Sequence, residues 1–348
     1  RADEKGTDLV LQTLWDEGDA LRRAEPGSRG CVDCHMGGQD GRRGRVAEAA
    51  GLGEQDFETA ASLDRALFDH RFVGVDYPLD QRREDDPNDA RRQELLRSAA
   101  SLSIDAAAVD ASGALTFTAR IRSGDVGHDL PSGFAFARQL WIEIEVRGDD
   151  GEVLASSGVV EAGSQDLCDA GSLAEAGIRP HMRGCDDGPD DRLVNLQAKL
   201  VDKVQPRRDA DGAIVRDARG QAVLEPHPTG QEVVTQWLEG GAVARVRPSD
   251  GQTLTPIAPG GSRDFSYRWA ASELARPPRP GEELSVHARL RFRTLPPYFV
   301  RRLAAQAVGH PGEPALGPMV ENLRIDDVAE VAETVDVPRS STRATRSS

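Results

Sequence analysis

Over the first hundred residues the apolar positions recur at helical intervals. Leu9, Leu11, Leu14, Trp15 and Leu21 predict one amphipathic helix. Phe57, Ala60, Ala61, Leu67 and Phe68 predict a second, over about 55–68. The stretch between them, from Glu25 to Arg45, is a loop with six glycines from Gly27 to Gly44. Asp86-Pro87-Asn88-Asp89 is a helix start signal and predicts a short helix through Leu96. After residue 100 the period changes to two. Alternation predicts strands at 101–109, 115–121, 140–146, 153–157, 233–239, 265–269, 284–292 and 329–337, with turn signals such as Ala111-Ser112-Gly113 and Asp149-Asp150-Gly151 between them. The pattern therefore predicts an α+β chain. A small helical domain at 1–100 precedes an antiparallel, Ig-like β-sandwich at 101–338. Trp141, Trp237 and Trp269 fall in predicted strands and are expected in its core. Residues 161–232 are dense in Asp, Gly and Pro and read as a long insertion, and 339–348 as a flexible polar tail.

Composition narrows the function classes. A chain of 348 residues suits two domains. No run of 18 apolar residues occurs, so no transmembrane helix is expected. The net charge of −15 argues against nucleic-acid binding, which needs a basic face to displace counterions. It suits basic or cationic partners instead. The chain starts at Arg1 without a Met, as expected of a processed protein or a piece of a longer one.

The four cysteines split into two pairs. Cys168 and Cys185 flank a polar loop and read as a disulfide, which implies an oxidising compartment, the periplasm or the cell exterior. Cys31 and Cys34 belong to Cys31-Val32-Asp33-Cys34-His35, a C-x-x-C-H motif. Two thiols at this spacing can form thioethers with the two vinyl groups of one haem. The histidine that follows is then placed under the iron as its proximal ligand. Covalent capture suits a segment too polar to hold a large apolar cofactor by burial. A zinc site lacks its second Cys pair, and a thioredoxin-like pair lacks its βαβ setting. One covalent haem c, held by Cys31, Cys34 and His35, is the expected cofactor.

Three segments carry a family resemblance: Cys31-Val32-Asp33-Cys34-His35-Met36, Asp69-His70-Arg71-Phe72-Val73-Gly74 and Gly127-His128-Asp129-Leu130-Pro131-Ser132-Gly133. Together they resemble the C-terminal part of bacterial multihaem c-type cytochromes, and 290–299 is similar to the end of that region. This chain departs from those proteins in having a single haem motif. The resemblance implies that His70 and His128 bind haem iron. One iron has one remaining axial position, so the expected pair is His35 with His70, and His128 is the alternative. The histidine left over would serve another haem, from a partner subunit or from elsewhere in a longer polypeptide. The resulting expectation is an electron-transfer cytochrome with a bis-histidine iron, a subunit of a larger multihaem assembly that docks with other cytochromes or redox proteins. A haem enzyme, peroxidase-like or nitrogen-oxide-converting, is the alternative and needs an open sixth position.

Other constellations carry less. Asp186, Asp187, Asp190 and Asp191 offer hard oxygens to Ca2+, but the ordered EF-hand spacing is missing and a solvated acidic loop is the plainer reading. Ser132 has no accompanying base and acid pattern for nucleophilic catalysis. Met182 and Met319 lack a haem signature, and His181, His227, His287 and His310 are most simply structural.

Overall fold

The computed structural model describes residues 35, 38–45, 64–68, 73–124, 126–131, 137–168, 185, 190–216, 220, 222–239, 242–246, 257–309 and 319–339. Its strands pair antiparallel throughout. β3 (Ala100–Val109), β4 (Leu115–Ser123) and β11 (Ser262–Trp269) form a sheet in the order β11-β4-β3. β5 (Gln139–Arg147), β6 (Val153–Ser157), β12 (Glu283–Arg293) and β13 (Asp326–Asp336) form a second in the order β13-β12-β5-β6, and the short β7 (Val194–Asn195) also pairs with β5. A third sheet, in the order β10-β9-β8, is built from β8 (Ala198–Pro206), β9 (Leu224–Glu239) and β10 (Ala242–Val246).

The first two sheets face one another because their alternation points one apolar row inward. Leu115, Phe117, Ala119 and Ile121 of β4 share a core with Leu140, Ile142, Ile144 and Val146 of β5 and with Val286, Ala288 and Leu290 of β12. Each large apolar side chain so buried contributes about 1.5–3 kcal/mol. Phe117 lies opposite Tyr267 across β4 and β11, with ring centroids 5.1 Å apart, and Trp269 extends the aromatic row. β5 is buried on both faces. Trp141 therefore packs away from the main core, against Leu167 and Leu193, and its Nε1–H donates to the Gly158 carbonyl at 2.9 Å. Trp269 takes the expected core position. The side chain of Trp237 lies outside the described residues.

The expected helical domain is not what the structure shows. Gly38–Arg45 is strand β1, paired antiparallel with β2, Asp64–Phe68. The apolar end of the predicted second helix, Leu67-Phe68, is thus strand. A short apolar run fits either period, and a pairing partner 20 residues or so away decides it, which local periodicity cannot see. Among the described residues there are two short α-helices, α1 (Asp89–Ala99) and α2 (Pro297–Gln306). α1 starts where the Asp-Pro-Asn-Asp signal predicts. α2, opened by Pro296-Pro297, lies in a stretch for which no helix was expected. The predicted helix near residues 9–21 lies outside the described residues. No helix of the described residues is long and apolar enough to cross a membrane.

Cys168 and Cys185 form a disulfide, as their separation from the haem-type pair predicts. The segment 73–79, which approaches the N-terminal motif, is tied to residues far along the chain. The Val75 carbonyl accepts from Thr294 Oγ1 at 3.3 Å, and the Leu79 carbonyl accepts from Asn322 Nδ2 at 2.8 Å. Asp76 pairs with Arg138 at 3.0 Å. Tyr77 accepts from the Arg324 main-chain N–H at 2.7 Å, and its ring lies against the guanidinium groups of Arg324 and Arg92. Both arginines bond the Asp86 carboxylate, at 2.8 and 2.7 Å. Burial alone would raise the pKa of Asp86, but the hydrogen bonds from Arg92 and Arg324 outweigh it and hold the carboxyl at about 2.

Two outcomes follow for stability. A loop of 17 residues closed by the disulfide restricts the unfolded chain, so Cys168→Ala with Cys185→Ala is expected to lower unfolding free energy by about 3 kcal/mol in denaturant titration. Asp86 is ionised in the folded protein well below the ordinary aspartate value of about 3.9, so its contribution is complete above about pH 4 and is lost as pH falls through 2. Asp86→Asn is expected to cost about 2–3 kcal/mol at pH 7. The gap between variant and wild type should stay flat down to about pH 5 and then close toward pH 2.

Candidate functional site

His35 is helical in backbone and is held by one buried residue. The Val73 N–H donates to the His35 carbonyl at 2.9 Å, and His35 Nδ1 lies 2.8 Å from the Val73 carbonyl. A carbonyl can only accept, so Nδ1 carries the proton and Nε2 carries the lone pair. Val73 is 6% exposed and begins the segment anchored through Val75, Asp76, Tyr77 and Leu79. The acceptor that sets the His35 tautomer therefore stands on a fixed frame.

His128 comes from the other direction, on the loop that leaves β4. Gly124 opens that loop with its N–H on the Ala99 carbonyl at 2.8 Å. A Cβ at 124 would run into the Ser98 carbonyl oxygen, so the close approach requires glycine. The far end is fixed by a two-bond bridge between Leu130 and Ile257, at 3.0 and 2.8 Å, with both side chains buried. His128 Nδ1 lies 2.9 Å from the Asp129 carbonyl, so this ring too is protonated at Nδ1 and presents its lone pair at Nε2.

The two rings meet. Their centroids are 6.4 Å apart and their planes differ by 24°. A metal–imidazole bond of about 2.0–2.1 Å and a ring radius of about 1.1 Å put the centroids of two imidazoles on opposite sides of one metal ion about 6.3 Å apart. The spacing alone also suits an offset aromatic pair. The matched Nδ1–H donation adds something that such a pair does not need. It is the arrangement by which metal-binding histidines are oriented and made more basic through the nitrogen that does not bind. The donor set fits an iron with two axial imidazoles.

The other predicted residues stand as follows. Cys31, Cys34 and His70 lie outside the described residues, as do Asp186, Asp187, Ser132, His181, His310 and Met182. His287 sits on β12 opposite Glu145, away from the main core. The Asp190 carboxylate is filled by Ser157 Oγ at 2.9 Å, the Gly158 N–H at 2.6 Å and the Arg192 N–H at 3.0 Å, so it pins β6 rather than holding Ca2+. Asp149, Asp150 and Glu282 converge elsewhere, but Arg276 and Arg279 sit among them and neutralise the group. Sequence reasoning missed the Val73 and Asp129 carbonyls. Main-chain acceptors carry no residue-type signal, and only the nearness of Val73 to His70 in the second resembling segment marked that stretch.

No family model matches the chain, and no curated protein does. Among solved structures it is similar to a penta-haem cytochrome c552 from Thermochromatium tepidum, at 13% sequence identity and a TM-score of 0.38. The alignment covers 93% of this chain and 50% of that one, so the chain spans half the length of that cytochrome.

Proposed function

We propose that this chain is a c-type cytochrome that transfers electrons through one covalently attached haem. Cys31 and Cys34 would supply the thioethers, and His35 and His128 would ligate the iron. The observation that carries the reading is the pair of near-parallel imidazoles 6.4 Å apart, each donating from Nδ1 to a main-chain carbonyl. Haem iron supplies a one-electron Fe(III)/Fe(II) couple. The protein's share would be to orient both imidazoles, so that each turns Nε2 to the iron. By accepting the Nδ1 protons, the Val73 and Asp129 carbonyls make each Nε2 more electron-rich, which would favour the oxidised iron. With both axial positions filled by this chain, the proposal gives the second to His128, the alternative of the sequence reading, and leaves His70 for another role.

A filled coordination sphere suits a carrier rather than an enzyme. The partner is another redox protein. With a net charge of −15, long-range attraction favours a partner that presents a basic face, and the association rate should fall as salt is added. The disulfide supports an oxidising compartment, periplasmic or extracellular, and a covalent haem would suit the same setting.

The test is optical spectroscopy of the purified holoprotein. Wild type is expected to be low-spin in both oxidation states. His128→Ala should turn the ferric protein high-spin, while His70→Ala should leave it low-spin. Cys31→Ala with Cys34→Ala should remove the covalent haem mass. A high-spin wild type would contradict the carrier reading and point to an open-site haem enzyme. A low-spin His128→Ala with a high-spin His70→Ala would return the sixth position to His70.

A further inference from the structure

The two imidazoles are held very differently, and we infer that His128 is the exchangeable ligand of the pair, so that its side of the iron is a binding site for a small neutral two-electron donor such as carbon monoxide. This rests on the reading that His35 and His128 bind one iron.

His35 is fixed by main chain and side chain to the same buried residue, Val73. To leave the iron, it must break its Nδ1–H bond to a carbonyl that tertiary contacts hold still. That carbonyl would then lose its partner in a buried setting, where an unpaired acceptor is costly.

His128 faces neither obstacle. Its one side-chain hydrogen bond goes to the carbonyl of the next residue, so ring and acceptor travel together. Among the described residues, no main-chain hydrogen bond joins residues 127–129 to the rest of the protein. The loop is anchored at its ends, by Gly124 on Ala99 and Leu130 on Ile257, and the ligand sits between the anchors. Swinging His128 away therefore breaks the metal bond and no tertiary hydrogen bond. The exchange is balanced. One neutral two-electron donor, Nε2, leaves and another takes its place, with no change of charge or oxidation state.

The experiment is carbon monoxide binding to the reduced holoprotein, followed by rapid mixing and by the vibrational spectrum of the adduct. In wild type the rate should level off at high carbon monoxide, because release of His128 limits it. The adduct should be spectroscopically identical to that of His128→Ala, since His35 remains in both. Leu130→Ala, which removes the buried anchor of the loop, should raise the limiting rate by about tenfold or more. If that variant fails to fold, the comparison of adducts still decides. A wild-type adduct that differs from the His128→Ala adduct, a protein that takes no carbon monoxide, or a limiting rate unmoved by Leu130→Ala would each overturn the inference. Failure of the underlying reading shows earlier and separately, as a His128→Ala protein whose spectrum without carbon monoxide matches wild type.

Discussion

The hydrogen bond from His35 Nδ1 to the Val73 carbonyl is the constraint on which the site depends. It settles which nitrogen bears the proton, and so which nitrogen can bind a metal. It also connects a glycine-rich, polar N-terminal segment to a residue that the sheets hold in place. A side-chain acceptor could rotate away. A main-chain carbonyl on a segment tied at four points cannot, and the ring inherits that rigidity. The same chemistry is repeated across the gap at His128, where the Asp129 carbonyl plays the part of Val73.

The core explains why such a frame exists. Two antiparallel sheets bury their inner rows against each other, and the central strand β5 is buried on both faces. The ends of these sheets are therefore fixed points. From one end rises the loop with His128, opening at a glycine whose backbone lies against residue 98. At residues 322–324, just before β13, Asn322 and Arg324 reach Leu79, Tyr77 and Asp86. The Tyr77 ring against two guanidinium groups, and the carboxylate that bonds both, add electrostatic ties to the apolar contacts that Val73, Val75 and Tyr77 make on segment 73–79. The site is thus assembled from residues 35, 73 and 128 by contacts that run to residue 324.

Much of the sheet region was legible in the sequence. The strands at 101–109, 115–121, 140–146, 153–157, 265–269, 284–292 and 329–337 match elements of nearly those bounds, because each of them apart from 140–146 meets the core with one face and alternates. β9 was seen only from residue 233, since Pro226 and Pro228 argue against a strand interior. β1 and β2 were read as loop and helix, since Gly38–Arg45 is polar and glycine-rich and takes its conformation from its partner strand. Trp141 is buried as expected, but in a second cluster with Leu167 and Leu193; a strand buried on both sides gives no alternation from which that face could be read. At the site, residue types marked His35 and His128 as candidates. His35 with His128 was the alternative to His35 with His70, and the nearness of the two rings could not be read, because 93 positions separate them and the acceptors that orient them are backbone.

An iron held between a motif histidine and a loop histidine would join the two ends of this architecture through one atom, with one side permanent and the other able to yield. The most direct test of that account is the low-temperature electron paramagnetic resonance spectrum of the oxidised holoprotein. Imidazole planes only 24° apart perturb the iron orbitals along the same direction, so the account predicts a rhombic low-spin signal that disappears in His128→Ala. A high-spin axial signal in wild type, or a low-spin signal that survives the loss of His128, would contradict it.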